Sequence, residues 1–215
     1  MNILLTSSFS GQNKKLRENI NNTIDTENAK VLVFPSCVTG LYDYDIELVK
    51  NSVADDLICI GFKYKNISIF NYCEEYNKNK VDISDYDCIF IPGGNTFVLR
   101  FLTSKYFEQI KKAAYNGKLI ITESAGSILL TEDISIAGFA DKNPVLETET
   151  SGIGLVDFYI KPHFATWLKY KKYFEDFSEI MHKKIICLWD SSFIVVKDDQ
   201  YSVFGKHIVI GEKYD

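Results

Sequence analysis

Two patterns in this chain carry the chemistry of an activated hydroxyl. In K-L-I-I-T-E-S-A-G-S (Lys118 to Ser127) a serine directly follows an apolar strand pattern, and Ala125, Gly126 and a short apolar helix pattern come after it. A sharp strand-to-helix turn of this kind, a nucleophile elbow, leaves Ser124 exposed above a sheet in a strained backbone conformation and demands small neighbours. The helix beginning at Ala125 aims backbone N–H groups at negative charge developing beside Ser124. Thr122 stands where a G-x-S-x-G elbow carries its first glycine, and the competing reading is a serine that merely caps a helix.

A serine hydroxyl also needs a base. His163, in I-K-P-H-F (Ile160 to Phe164), follows a strand pattern, and Pro162 restricts the backbone before it. It is thereby expected at the carboxyl edge of a sheet, where open α/β sheets bind ligands. The plainer alternative is a strand-end histidine with a surface role. His182, beside Lys183 and Lys184 at a helix end, and His207, in the terminal strands, are poorer candidates. A carboxylate must then orient the imidazole. Asp141, Glu147, Glu149 and Asp157 all lie between Ser124 and His163, and spacing does not choose among them. For the oxyanion, Gly93 and Gly94 offer an unobstructed backbone N–H to pair with that of Ala125, although a Gly-Gly turn also suits positive φ alone.

The elements that must position these residues alternate between β-branched runs and helical patterns, as in α/β units around a mostly parallel sheet. Strands are expected at Asn2 to Thr6, Lys30 to Phe34, Ile67 to Phe70, Asp87 to Pro92, Lys118 to Thr122 and Val156 to Ile160. Helical periodicity joins Leu16, Ile20 and Ile24, then Ile46, Val49 and Val53, then Phe97 to Ala114 as one long or two short helices. It returns from Trp167 through Phe174 to Met181. The tail, from Ile185 to Ile210, reads as short and partly antiparallel strands at a sheet edge. No linker or repeat interrupts this order, so residues 1–215 are read as a single domain with helices on both faces of the sheet.

Composition narrows the function. Of 215 residues 46% are hydrophobic and 25% charged, ordinary globular values that argue against disorder. A net charge of −5 provides no polycation for a phosphate backbone, so no nucleic-acid partner is expected. No apolar run approaches the roughly 18 residues of a membrane span, and Met1 to Thr6 has no secretory pattern, so a cytoplasmic protein without a membrane partner is expected. Five cysteines (Cys37, Cys59, Cys73, Cys88, Cys187) at wide spacing, mostly inside apolar runs, read as small core hydrophobes. Three scattered histidines suggest no metal, and no cofactor is expected.

I-F-I-P-G-G-N-T-F (Ile89 to Phe97), T-E-S-A-G (Thr122 to Gly126) and P-H-F (Pro162 to Phe164) stand in the order and at about the separations of the peptidase E family. These aspartyl dipeptidases have cyanophycinases as relatives, and the resemblance spans nearly the whole chain. It implies a serine peptidase on a fold similar to class I glutamine amidotransferases, acting on a small peptide as a monomer or homodimer. Carried over by position, Ser124 is the nucleophile and His163 the base. The family places its aspartate shortly past the elbow helix; Phe139 stands at the shorter of its spacings and Asp141 at the longer, so the resemblance gives Asp141 as the acid. Gly93 or Gly94 and Ala125 become the oxyanion donors. Asn95 resembles the asparagine that helps hold the substrate's N-terminal residue, and Glu123 is a candidate for recognising a free terminus.

One departure bears on specificity. The aspartyl dipeptidases carry an arginine after P-H-F, whereas Ala165 to Met181 holds only Lys169, Lys171 and Lys172 as cations. A lysine attracts a carboxylate but cannot fork onto it, so strict preference for N-terminal aspartate is not expected. The competing classes are a non-catalytic small-molecule or peptide-binding protein on the same scaffold and an α/β-hydrolase esterase. The esterase is disfavoured by Thr122 and by the lack of an H-G-type oxyanion loop. A cysteine-dependent amidotransferase or redox relative is disfavoured by serine at position 124.

Overall fold

The computed structural model describes residues 1–35, 46–72, 81–146 and 148–214. Cys37, Cys73 and Glu147 lie outside them. The short apolar runs form two sheets. The larger has seven strands in the order β3-β2-β4-β5-β1-β8-β9: β1 (Asn2–Thr6), β2 (Val31–Val33), β3 (Ile67–Ile69), β4 (Cys88–Ile91), β5 (Leu119–Glu123), β8 (Phe193–Lys197) and β9 (Gln200–Phe204). The first five are mutually parallel, and β8 and β9 add an antiparallel edge. The smaller sheet, in the order β10-β7-β6, comprises β6 (Tyr159–Lys161), β7 (Ile185–Leu188) and β10 (His207–Ile210), with β6 parallel to β7.

Alternation along the strands divides the core into two layers. On one face Leu4, Val31, Val33, Phe90 and Ile121 pack against Leu16 and Ile20 of α1 (Lys14–Asn21) and against Ala54 and Leu57 of α2 (Ile46–Ile60). On the other, Ile3, Leu5, Leu32, Ile89, Ile91 and Ile120 meet α3 (Thr96–Thr103), α4 (Phe107–Tyr115), α5 (Ala125–Leu129) and the inner face of the small sheet. The fold is thus α/β, with helices on both faces of a mostly parallel sheet.

One open alternative is resolved and two expectations shift. The run from Phe97 to Ala114 is two helices joined by a 3₁₀ turn at Ser104–Tyr106. The stripe from Trp167 to Met181, expected as one helix, is broken: α6 (Phe164–Trp167) is separated from α7 (Lys171–Met181) by a turn at Leu168–Tyr170. The strand expected at Val156 to Ile160 starts later, because Gly154 turns with φ 71° and Asp157 is exposed; Val156 makes only an isolated bridge to Thr131. This later start puts Lys161, Pro162 and His163 at the strand's carboxyl end.

Candidate active site

Ser124 leaves β5 at the carboxyl edge of the large sheet, between β4 and β1. Its amide donates to Thr6 O at 2.9 Å, extending the β1–β5 ladder by one residue. Its backbone then turns to φ 47°, ψ −108°, and its carbonyl accepts from Ser127 N and Ile128 N to open α5. A non-glycine residue in this region costs about 1–3 kcal/mol and persists only where its surroundings fix it. Here those surroundings are side-chain hydroxyls. Ser127 Oγ donates to Thr6 O at 2.8 Å and lies 2.9 Å from Thr122 Oγ1, and Thr6 Oγ1 donates to Thr122 O at 2.8 Å. Thr122 therefore fills the elbow's first-glycine position with a buried, hydrogen-bonded hydroxyl. The second glycine position is different: a Cβ on Gly126 would sit 2.1 Å from Ile91 O, so only glycine lets α5 approach β4 so closely.

His163 follows β6 with φ 55°, ψ 34°, a left-handed conformation that turns its ring back toward the elbow. Nε2 lies 2.9 Å from Ser124 Oγ, and Nδ1 lies 2.6 Å from Asp190 Oδ1. A carboxylate only accepts, so Nδ1 carries the proton and Nε2 is left to accept from the serine hydroxyl. The imidazole thereby bridges a hydroxyl and an acid. Asp190 is two-thirds exposed and the His163 ring 42% exposed, so solvent reaches the acid end of this row.

The carboxylate that meets the imidazole is not the one the sequence reading chose. Asp141 is not in contact with His163. Its Oδ2 accepts from Thr96 N at 2.8 Å and from Thr96 Oγ1 at 2.6 Å, placing negative charge at the N-terminus of α3, where the helix dipole favours it. Of the other carboxylates weighed, Glu149 accepts from Ser151 N and lies 3.9 Å from Arg100, Asp157 faces solvent, and Glu147 is outside the described residues. Asp190 was missed because the pairing that brings it close is set in space. β6 and β7 run parallel with Lys161 opposite Cys187, so the residues just beyond these two, His163 and Asp190, emerge side by side. The available signal was an aspartate directly after the apolar run I-I-C-L-W, at another strand's carboxyl end.

Three other sequence candidates have different work. Glu123 is turned into the protein: Oε1 accepts from Phe9 N at 3.0 Å and Oε2 from Gly93 N at 3.3 Å. It ties the loop after β1 to the turn after β4. It is thus not presented to a peptide terminus, and Gly93 N, donating to it, is withdrawn from the oxyanion donors. Asn95 caps α3, its Oδ1 accepting from Val98 N at 3.1 Å and its Nδ2 donating to Lys142 O at 2.8 Å; its side chain is engaged by the protein and not held open for substrate. Gly94 follows with φ 145°, and the amide of Ala125 begins α5; it is at Gly93 that a Cβ would come within 3.3 Å of Ser124 Cβ. His182 ends α7, and His207 Nδ1 lies 3.0 Å from Gly205 O; neither enters the site.

One residue before Pro162, Lys161 is buried at 2% exposure, and its ammonium sits among aromatic rings. It lies 4.5 Å from the centre of the Trp167 ring and 5.7 Å from that of Phe174. Burial pushes its pKa down to about 8, against the partly opposing attraction of Asp141. Between about 8 and its ordinary 10.5 the unfolded chain binds more protons at this residue than the folded one, so its contribution to stability rises with pH across that window. Lys161→Met is expected to stabilise the protein at pH 7 by about 1–3 kcal/mol and to lack that rise, as read from urea midpoints at pH 7 and 9.5. Equal midpoints for the two proteins at pH 7 would contradict it.

Among the described residues no helix is long and apolar enough to cross a membrane, and no three His, Cys, Asp or Glu side chains gather as a metal site. Solved structures share the fold. A candidate peptidase E protein from Listeria monocytogenes EGD-e is 18% identical, with TM-score 0.70 over 94% of this chain and 97% of that one. A peptidase from an acI-B1 Actinobacterium is 18% identical, with TM-score 0.67 over 98% and 91%. No curated protein sequence matches the chain. The model of peptidase family S51, however, matches residues 3–204, from β1 to the end of β9, and the chain belongs to that family of serine-type peptidases.

Proposed function

We propose that this protein is a cytoplasmic dipeptidase-like enzyme that hydrolyses short peptides with Ser124 as nucleophile, His163 as general base and acid, and Asp190 as the residue that orients the imidazole. The observation that carries the reading is the His163 ring, with Ser124 Oγ on one nitrogen and Asp190 on the other. As Oγ attacks the scissile carbonyl carbon, its proton passes to Nε2, and the Asp190 carboxylate stabilises the resulting imidazolium through Nδ1–H. The carbonyl oxygen, now negative, takes hydrogen bonds from the amides of Gly94 and Ala125. Nε2 then delivers its proton to the leaving amine, and a water activated by the same nitrogen releases the acyl group from Ser124. The unpaired thiols of Cys88 and Cys187, buried in apolar strands, fit a reducing compartment.

Specificity is read from the cations that follow His163 in the chain. Lys171 and Lys172 pair with Glu175 and Asp176 on the exposed face of α7, and Lys169 lies over Tyr170. None of these provides the planar fork that grips an aspartate side chain. A dipeptide-library screen is therefore expected to show turnover without strong preference for Asp-X over other X-X dipeptides. A profile dominated by Asp-X would reject this account of specificity. No turnover of any dipeptide, together with no labelling of Ser124 by a fluorophosphonate, would leave a binding protein on a peptidase scaffold.

A further inference from the structure

The three residues of the proposed triad come from two sheets. Ser124 ends a strand of the large sheet, whereas His163 and Asp190 follow strands of the small one. Their alignment therefore depends on how the carboxyl ends of the two sheets are joined, and the joint is at the end of β1. Ser7 is fully buried. Its Oγ accepts the backbone N–H of His163 at 2.8 Å and faces Leu188 O, at the end of β7, at 3.5 Å. Its own amide donates to Ser192 O, and the next amide, of Ser8, donates to Asp190 O, both at 3.2 Å. Ser192 N donates to Trp189 O at 2.8 Å, closing the turn that carries Asp190.

We infer that Ser7 is a positioning residue, whose hydroxyl holds the left-handed His163 backbone against β1 so that the imidazole spans Ser124 and Asp190. This rests on the triad reading above. The physical argument is the cost of misplacement. His163 occupies a conformation uncommon for a residue with a side chain, and the hydrogen bond to its amide comes from a side chain 156 residues away. Without the hydroxyl, a half-buried amide loses its acceptor and the turn is free to relax toward more populated backbone angles. Displacement of a reacting group by about 1 Å can cost on the order of 100-fold in rate.

The experiment compares wild type, Ser7→Ala and Ser7→Cys by the rate of fluorophosphonate labelling at Ser124 and by the low-field proton resonance of the His163 Nδ1–H···Asp190 hydrogen bond. Ser7→Ala is expected to label about 10- to 100-fold more slowly, with that resonance broadened or lost. Ser7→Cys, nearly isosteric but a weaker acceptor, is expected to fall between. Wild-type labelling and an unchanged resonance in Ser7→Ala would overturn the inference. Should Ser7→Ala fail to fold, Ser7→Cys decides, a wild-type rate in that variant counting against. If wild-type protein itself is not labelled, the catalytic reading fails, and the resonance still reports whether Ser7 holds the ring.

Discussion

Ser124→Ala is expected to lower peptide turnover on the order of 10⁴-fold or more while leaving the unfolding midpoint nearly unchanged. The two halves of this expectation have separate causes. Loss of Oγ removes the attacking atom, and the neighbouring hydroxyls of the elbow do not replace it: those of Ser127 and Thr122 are buried and joined to each other, and Ser127 also bonds Thr6 O. Stability, by contrast, resides in the backbone of the elbow. Alanine at position 124 keeps the ladder bond to Thr6 O and the acceptors for Ser127 N and Ile128 N, and it bears the same backbone strain as serine. Steady-state hydrolysis of a responsive dipeptide, with thermal unfolding of the same preparations, tests both halves. Turnover retained in the variant would move the nucleophile elsewhere.

The acid is tested by a contrast between two aspartates. Asp190→Asn is expected to reduce kcat by about 10²–10⁴-fold, with little change in KM. An asparagine can present its NH₂ to Nδ1 and so favour the tautomer whose Nε2 carries the proton and cannot accept one from Ser124. The lower end of that range reflects the exposure of Asp190, since water supplies part of the lost stabilisation of the imidazolium. Asp141→Asn is expected to behave otherwise. It weakens the acceptor at the start of α3, costing about 0.5–2 kcal/mol of stability. It touches catalysis only so far as the neighbouring Gly93-Gly94 turn shifts, by no more than about 100-fold. Measured side by side, a larger kcat loss at position 141 than at 190 would return the role of acid to Asp141.

Much of this site was legible in the sequence because it is local. A buried apolar run meeting T-E-S-A-G fixes where a strand stops and a helix begins, whereas the steric demand at Gly126 comes from Ile91 O of the neighbouring strand β4. P-H-F likewise marks a strand end. The alternation that sorts Leu4 from Ile3 and Leu5 into opposite core layers is a property of the extended chain, so the parallel sheet could be read strand by strand.

What the sequence could not supply was proximity between segments. That the tail strand β7 leaves the main sheet to pair with β6 is a choice among similar apolar edges, made by packing against α5, α6 and α7. That choice alone carries Asp190 to His163 and leaves Asp141 on Thr96. The roles of Glu123 and Ser7 depend on the same kind of fact, a hydrogen bond to a backbone amide 114 or 156 residues away. Residue type and spacing thus determined which groups could react and on what local scaffold. The tertiary structure decided which of them meet, because hydrogen-bond partners across strands are set by the pairing of whole sheets and not by any one segment's pattern.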